Sequence, residues 1–343
     1  MIDYQKYRKE FDEYLDEAGD ITIGLNFSMP PSQVLFELDE TAYSEQLTEY
    51  VDQKKSEHSQ IVHQNYPAPI AYFYHQSEHG YDSEQNRLQL LRSTWESLIY
   101  ILYALIMGEV NYKRFLLQDI RVFDNNRIRG DHRGIMNDRL GWKIEAMQRI
   151  IENDQQNDNK LIISSITDID TFEVLKELNH VRNSFSHIAA MDENEAKERF
   201  SDLHPIVADF LFDLDFLENV SLLRYSRSLG AINTIRFNKY AGHSLQRQNY
   251  NKKLSNEELS IYSSILSDQI LLIEFEGMLF NISPFIHFNL DGNQLRLAYF
   301  KKIDREDNCY EFELVGAGVK DRKFTISCTD SVDFIHITLS DLL

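Results

Sequence analysis

The octet HVRNSFSH, His180 to His187, gathers a guanidinium, a carboxamide, two hydroxyls and two imidazoles into one short stretch. Histidine titrates near physiological pH and so takes up or releases a proton, while the forked, permanently charged guanidinium neutralises phosphate oxygens. Together they supply general acid/base catalysis and stabilisation of charge on phosphorus. On a helix each residue turns by roughly 100°, so, counted from Asn179, the side chains of Arg182, Ser186, Asn183, Lys176 and His187 fall between roughly −60° and +80°. Val174, Leu178, Val181, Phe185 and Ile188 take the opposite sector. We therefore expect one face packed into a bundle and one polar face open to substrate. Arg182, Asn183 and His187 are the candidate catalytic residues, and Lys176, Asn179 and Ser186 the candidate substrate-binding residues. His180, at the edge of the apolar sector, reads as structural.

An Arg followed five positions later by a His also occurs in RIRGDH (Arg127, His132) and RFSDLH (Arg199, His204), so the spacing alone decides nothing. The first of these spans a glycine loop, and the second straddles an expected helix start at Pro205. Only Arg182 and His187 share one helix, with Asn183 one turn before His187 on the same face.

The elements that must position these residues follow from periodicity. Tyr4, Tyr7, Phe11 and Tyr14 predict a short amphipathic helix up to about Glu17. DITIGLNF alternates as a strand, PPSQ breaks it, and a polar helix follows from about Ser44 to His63. YPAPIAYFY, from Tyr66 to Tyr74, reads as an extended connector because of its two prolines. From Ser83 a long helix becomes apolar nearly all round after Leu98. Leu140, Ile144, Met147 and Ile151 mark a second helix, NDQQNDNK (Asn153 to Lys160) a solvated loop, Asp170 the start of a third helix and Pro205 the start of a fourth. Four such helices describe a bundle. After Tyr225 a basic, weakly patterned stretch leads to a short helix, and from Gln269 onward short β-branched and aromatic runs predict an antiparallel sheet or small barrel. Lys301 with Lys302, and Arg322 with Lys323, read as solvated strand edges. The expected class is α+β, with an N-terminal accessory region over 1–78, a helical bundle over 79–225, a connector over 226–268 and a separate β-rich sensing or docking module over 269–343.

The 343 residues carry a formal charge of −20, which repels polyanions at long range and counts against sequence-independent coating of nucleic acid or anionic membrane, though not against a local basic cleft. Cys309 and Cys328 sit far from other ligands at metal spacing, and no carboxylate or histidine cluster at such spacing stands out, so neither a metal nor another cofactor is expected. Two unpaired thiols suit a reducing cytoplasm. The charged start MIDYQKYRKEF is unlike a secretory signal, and the apolar run from Leu98 to Met107 is about half a bilayer span, so no membrane is expected.

A buried long helix, three further helices and R-N-S-F-S-H within a later one resemble the HEPN superfamily, over about Ser83 to Tyr225. HEPN ribonucleases carry Arg, a polar residue that is often Asn, three variable residues and His. The resemblance implies a HEPN-like four-helix core and metal-independent endoribonuclease activity by 2'-OH transesterification. It also implies a homodimer in which two facing helices place two His and two Arg in one cleft, and a role as a toxin or antiviral-defence effector. HEPN toxins paired with minimal nucleotidyltransferases carry a Tyr two residues after the His, where this chain has Ala189. The alternative is a catalytically inactive HEPN-derived scaffold serving as a dimerisation, nucleotide-binding or protein-adaptor module. In either case a regulatory partner or ligand would sit at the C-terminal β module.

Overall fold

Helices come first along the chain and strands last. The computed structural model describes residues 4–22, 28–115, 117, 139–157, 160–184, 191–229, 233–291, 294–304, 309–316 and 323–327. In chain order the first elements are α1 (Tyr4–Asp16), β1 (Ile21–Thr22), β2 (Ser28–Met29), α2 (Pro31–Leu38), α3 (Glu40–Asn65) and α4 (Ala68–His79). Then come α5 (Glu84–Lys113), α6 (Leu140–Gln156), α7 (Ile162–Ile166), α8 (Asp170–Ser184) and α9 (Glu193–Asp213). The strands β3 (Ser221–Leu229), β4 (Thr234–Tyr240) and β5 (Gln248–Lys253) precede α10 (Asn256–Tyr262), and β6 (Leu271–Phe275), β7 (Met278–Asn281), β8 (Ile286–Asp291), β9 (Gln294–Asp304), β10 (Cys309–Leu314) and β11 (Lys323–Ser327) follow it. The class is α+β. Among the described residues all strand pairs are antiparallel, in a small β1–β2 ladder and two larger sheets of order β5-β4-β3-β6-β7 and β11-β10-β9-β8.

The chain divides into two compact units: Met1–Ile61 with Leu203–Asp213, and Val62–Asp202 with Leu214–Leu343. In the first unit α1 turns part of its aromatic row inward, while Tyr14 is 59% exposed. Tyr7 and Phe11 are buried, the Phe11 ring lying 5.5 Å from Tyr43 and 5.4 Å from Tyr50, and Tyr7 lying 5.4 Å from Phe212. Of the expected strand DITIGLNF the described residues hold β1, residues 23–27 lying outside them, and PPSQ does not merely break a strand but starts α2, with Pro31 at its first turn.

In the second unit Ser83 caps α5 by accepting a hydrogen bond from Asn86 N at 3.1 Å. Every residue from Ser97 to Val110 is buried, because α4, α6, α8, β7 and β8 cover this helix. It is the one helix among the described residues long and apolar enough to cross a membrane, and 78% of its most apolar window is buried inside the fold. Gly108 marks where helix and sheet meet: a Cβ there would stand 3.0 Å from Phe280 Cβ. β7 and β8 are thus packed on α5.

Four sequence expectations need correction. Pro67 and Pro69 do not enforce an extended connector, because both fall at the start of α4, where a missing N–H breaks no helical bond. Pro205 lies inside α9, whose first turn is held instead by Asp192, accepting from Glu195 N at 2.8 Å. Asn153 to Gln156 continue α6, and Asp154 is buried, accepting from Lys160 N and Leu161 N at 2.9 Å. Residues 226–268 hold the last four residues of β3 and all of β4, β5 and α10; β5 is a polar edge strand with little to bury, so it leaves no alternating signal.

Two carboxylates finish the helical part. Asp154 holds the loop before α7, and the buried Glu109 accepts from Ile162 N at 2.6 Å and Ile163 N at 3.1 Å, where a helix start presents free N–H groups and positive dipole.

His287 on β8 sits among the rings of Phe288, Phe312 and Phe324, and burial, helped by Arg224, pushes its pKa down to about 4. An unfolded histidine titrates near 6.5, so between 6.5 and 4 the unfolded chain binds more protons and stability falls with falling pH. Urea unfolding at pH 7 and pH 4.5 should show His287→Leu losing about 1–3 kcal/mol less than wild type over that interval. Equal losses in the two proteins would contradict this placement of His287.

Candidate functional site

Along α8, Phe172, Leu175 and Leu178 are buried, whereas Glu173, Glu177 and His180 are exposed. Leu175 lies roughly 40° from Asn179, on the same side as Arg182. The side of the expected open face that carries Phe172, Leu175 and Arg182 therefore lies toward the helical core, while Lys176 stays partly exposed. Phe172 and Leu175 draw it inward, and the open face carries Glu173, Glu177 and His180.

Arg182 reaches α5. Its Nε donates to Glu96 Oε1 at 2.5 Å, and Arg92 Nε donates to the same oxygen at 2.9 Å. Burial pushes the Glu96 carboxyl up, but attraction from Arg92 and Arg182, with Lys301, outweighs it and holds the group below the usual carboxylate range. Two guanidinium groups thus share one ionised carboxylate. Lys176 pairs with Glu173 at 2.7 Å. Asn179 lies beside Gly141 of α6, where an added Cβ would stand 3.4 Å from its amide nitrogen. Asn183 stands in the last turn of α8. Its side chain, Ser186, His187, Ala189, Cys328 and the pair Arg127 with His132 lie outside the described residues.

Glu96 also lines a cleft of about 250 Å³ with Ser93, Tyr100, Tyr299, Lys301 and Glu313. Lys301, expected at a solvated strand edge, is instead drawn in: its Nζ lies 2.9 Å from Glu313 and 3.3 Å from the Tyr100 hydroxyl. Burial lowers its pKa, but Tyr100 and Glu313 more than compensate, so it stays charged. Burial raises the Tyr100 phenol, whose ring stacks on Tyr299 at 4.5 Å. Glu96, Lys301 and Tyr100 all stay away from neutral pH.

A second concave surface lies on β3, β4 and the segment entering β5. Arg227, Arg236 and Arg247, with Ser226, Asn238 and Asn249, line a groove of about 320 Å³ without a carboxylate. Arg227 and Arg236 are direct partners across the β3–β4 ladder. Like charges so placed destabilise a sheet unless an anion lies between them. Sequence reasoning passed over this groove because the stretch reads as a weakly patterned connector.

No protein-family model, curated protein or solved structure matches this chain.

A third grouping was also missed. His63, His75 and His79 each bring a ring nitrogen within 4.8 Å of the others. The signal in the sequence is HQSEH, two histidines four apart; it carries meaning only once α4 is helical, which the proline argument ruled out. The expectation that no histidine cluster at metal spacing exists is therefore corrected.

Proposed function

We propose that the chain is a metal-independent endoribonuclease of HEPN type, acting in the cytoplasm as a homodimer and serving as a toxin or antiviral-defence effector. The observation that supports it most is the sharing of Glu96 by Arg92 and Arg182. A carboxylate holds the Arg182 guanidinium through Nε, and the second guanidinium leaves a local excess of positive charge for a phosphate. In this scheme His187 takes the proton from the 2'-hydroxyl or gives one to the departing 5'-oxygen, and Arg182 balances charge on the phosphorane. Asn183 orients phosphate or imidazole, and Lys176, Asn179 and Ser186 contribute to substrate binding. Each chain supplies one such imidazole, so a two-fold partner supplies the second. The arginine groove gives RNA a place to bind on a chain of net charge −20.

A second reading, the inactive scaffold, draws on the same ion pair, since Arg182 with Glu96 also serves as a plain link between α8 and α5. Two variants separate them. Arg182→Ala should cut RNA cleavage by about 10²–10³ while RNA affinity changes little. Arg227→Glu with Arg236→Glu should weaken RNA binding more than about tenfold and flatten its salt dependence by about 0.7 in slope per lost phosphate contact. No cleavage by the wild-type chain, alongside a melting temperature lowered by Arg182→Ala, would leave the pair structural and the scaffold reading in place; unchanged cleavage by Arg182→Ala would remove Arg182 from the mechanism.

A further inference from the structure

Independently of RNA cleavage, we infer that His63, His75 and His79 form a binding site for a divalent transition metal of the zinc class, closed by the carboxylate of Glu78. The ligands come from two short stretches. His75 and His79 stand one turn apart at the end of α4, and His63 stands in the last turn of α3, with its three-ring neighbourhood already assembled: His63 lies 4.9 Å from His75 and 5.5 Å from His79 between ring centroids. Glu78 Oε2 lies 2.9 Å from His63 Nε2 and 3.7 Å from His79 Nε2.

Two nitrogens in the cluster ask for a ligand. His63 Nε2 and His75 Nδ1 are buried without a hydrogen-bond partner, the approach of Glu78 to His63 being off the line of a hydrogen bond. Orphaned buried nitrogens of this kind are rare in folded proteins. The cluster is also held in place by its neighbours. His243 stacks flat on the His75 face at 4.1 Å and 12°, which covers the face and leaves the edge nitrogens, where metals bind, uncovered. The backbone N–H of His243 donates to the His63 carbonyl at 2.9 Å. Gly242, at φ +76°, brings that loop in so closely that a Cβ would stand 2.8 Å from Gln64 O.

Three imidazoles and one carboxylate suit zinc and its neighbours, whereas calcium and magnesium take oxygen ligands. Tetrahedral zinc with Zn–N of about 2.0 Å needs nitrogens about 3.4 Å apart, so the ligand atoms, now within 4.8 Å, must draw in slightly. His79, with 57% of its side chain exposed, has the freedom to do so.

The test uses the untagged full chain, stripped with EDTA and dialysed, titrated calorimetrically with Zn²⁺ and spectroscopically with Co²⁺. One Zn²⁺ per chain should bind and raise the melting temperature, and Co²⁺ should give the intense visible absorption of tetrahedral coordination. His79→Ala, at an exposed position that leaves the fold intact, should weaken Zn²⁺ binding by more than about 100-fold, beyond what loss of a mere supporting group costs. His75→Ala should do the same, and His180→Ala, on the open face of α8, should bind as wild type. Absence of saturable one-to-one binding, or binding unchanged by both His75→Ala and His79→Ala, would overturn the assignment.

Discussion

Replacing His187 with alanine should lower RNA cleavage by roughly 10²–10⁴, the range for losing a positioned proton-transfer group. The expectation rests on the proposed mechanism, in which His187 moves the protons. Glu96 is held below the usual carboxylate range, Lys301 above its ordinary value and Tyr100 above the phenol range, so none of them exchanges protons near neutral pH. In the proposed mechanism the acid/base work is assigned to His187. His132→Ala and His204→Ala, from the other two Arg–His pairs, should leave the rate within about twofold, as substitutions away from the site usually do. A His187→Ala protein that melts as wild type and still cleaves at the wild-type rate would remove His187 from the mechanism.

Glu96→Ala should cost about 3 kcal/mol of stability and most of the activity. Removing one partner of a buried ion pair leaves the other charges uncompensated, typically at about 3–5 kcal/mol. Here Arg92 and Arg182 retain 20% and 29% side-chain exposure, which places the cost at the lower end. Cleavage falls as well, because Arg182 loses the carboxylate that fixes its guanidinium. The sign with pH is defined. The folded pKa of Glu96 is depressed, so its contribution is complete above the unfolded value of 4.5 and is lost as pH falls from there through the folded value. Urea unfolding of wild type and Glu96→Gln at pH 7 and pH 3 should therefore converge at the acid end. A Glu96→Ala protein within about 1 kcal/mol of wild type at pH 7 would show that the cluster stabilises nothing.

Strong periodicity made the long helices legible: the apolar run of α5, its Ser83 cap, and the a/d spacing of Leu140 to Ile151 in α6 all stand where the sequence puts them. Sequence reasoning erred where a local rule outweighed context. Proline was treated as a breaker at Pro67 and Pro69 and as a starter at Pro205, yet it serves as an N-terminal residue in α4 and sits in the interior of α9. Polar β5 hides at a sheet edge, and with it the arginine groove. In the octet the residue types were visible but the orientation was not: Phe172 and Leu175, just upstream, decide which side of α8 is buried, and they turn Arg182 toward Glu96. That partner lies 86 positions away in the chain, beyond the reach of any spacing argument.

The chemistry of the RNA ends tests the central claim most directly. Purified chain incubated with mixed RNA in excess EDTA, below the melting temperature of the metal-free protein, should release fragments ending in 2',3'-cyclic phosphate and beginning with 5'-hydroxyl, and His187→Ala should release almost none. RNA left intact by the wild-type chain, or fragments with 3'-hydroxyl and 5'-phosphate ends, would contradict a HEPN-type transesterification at Arg182 and His187.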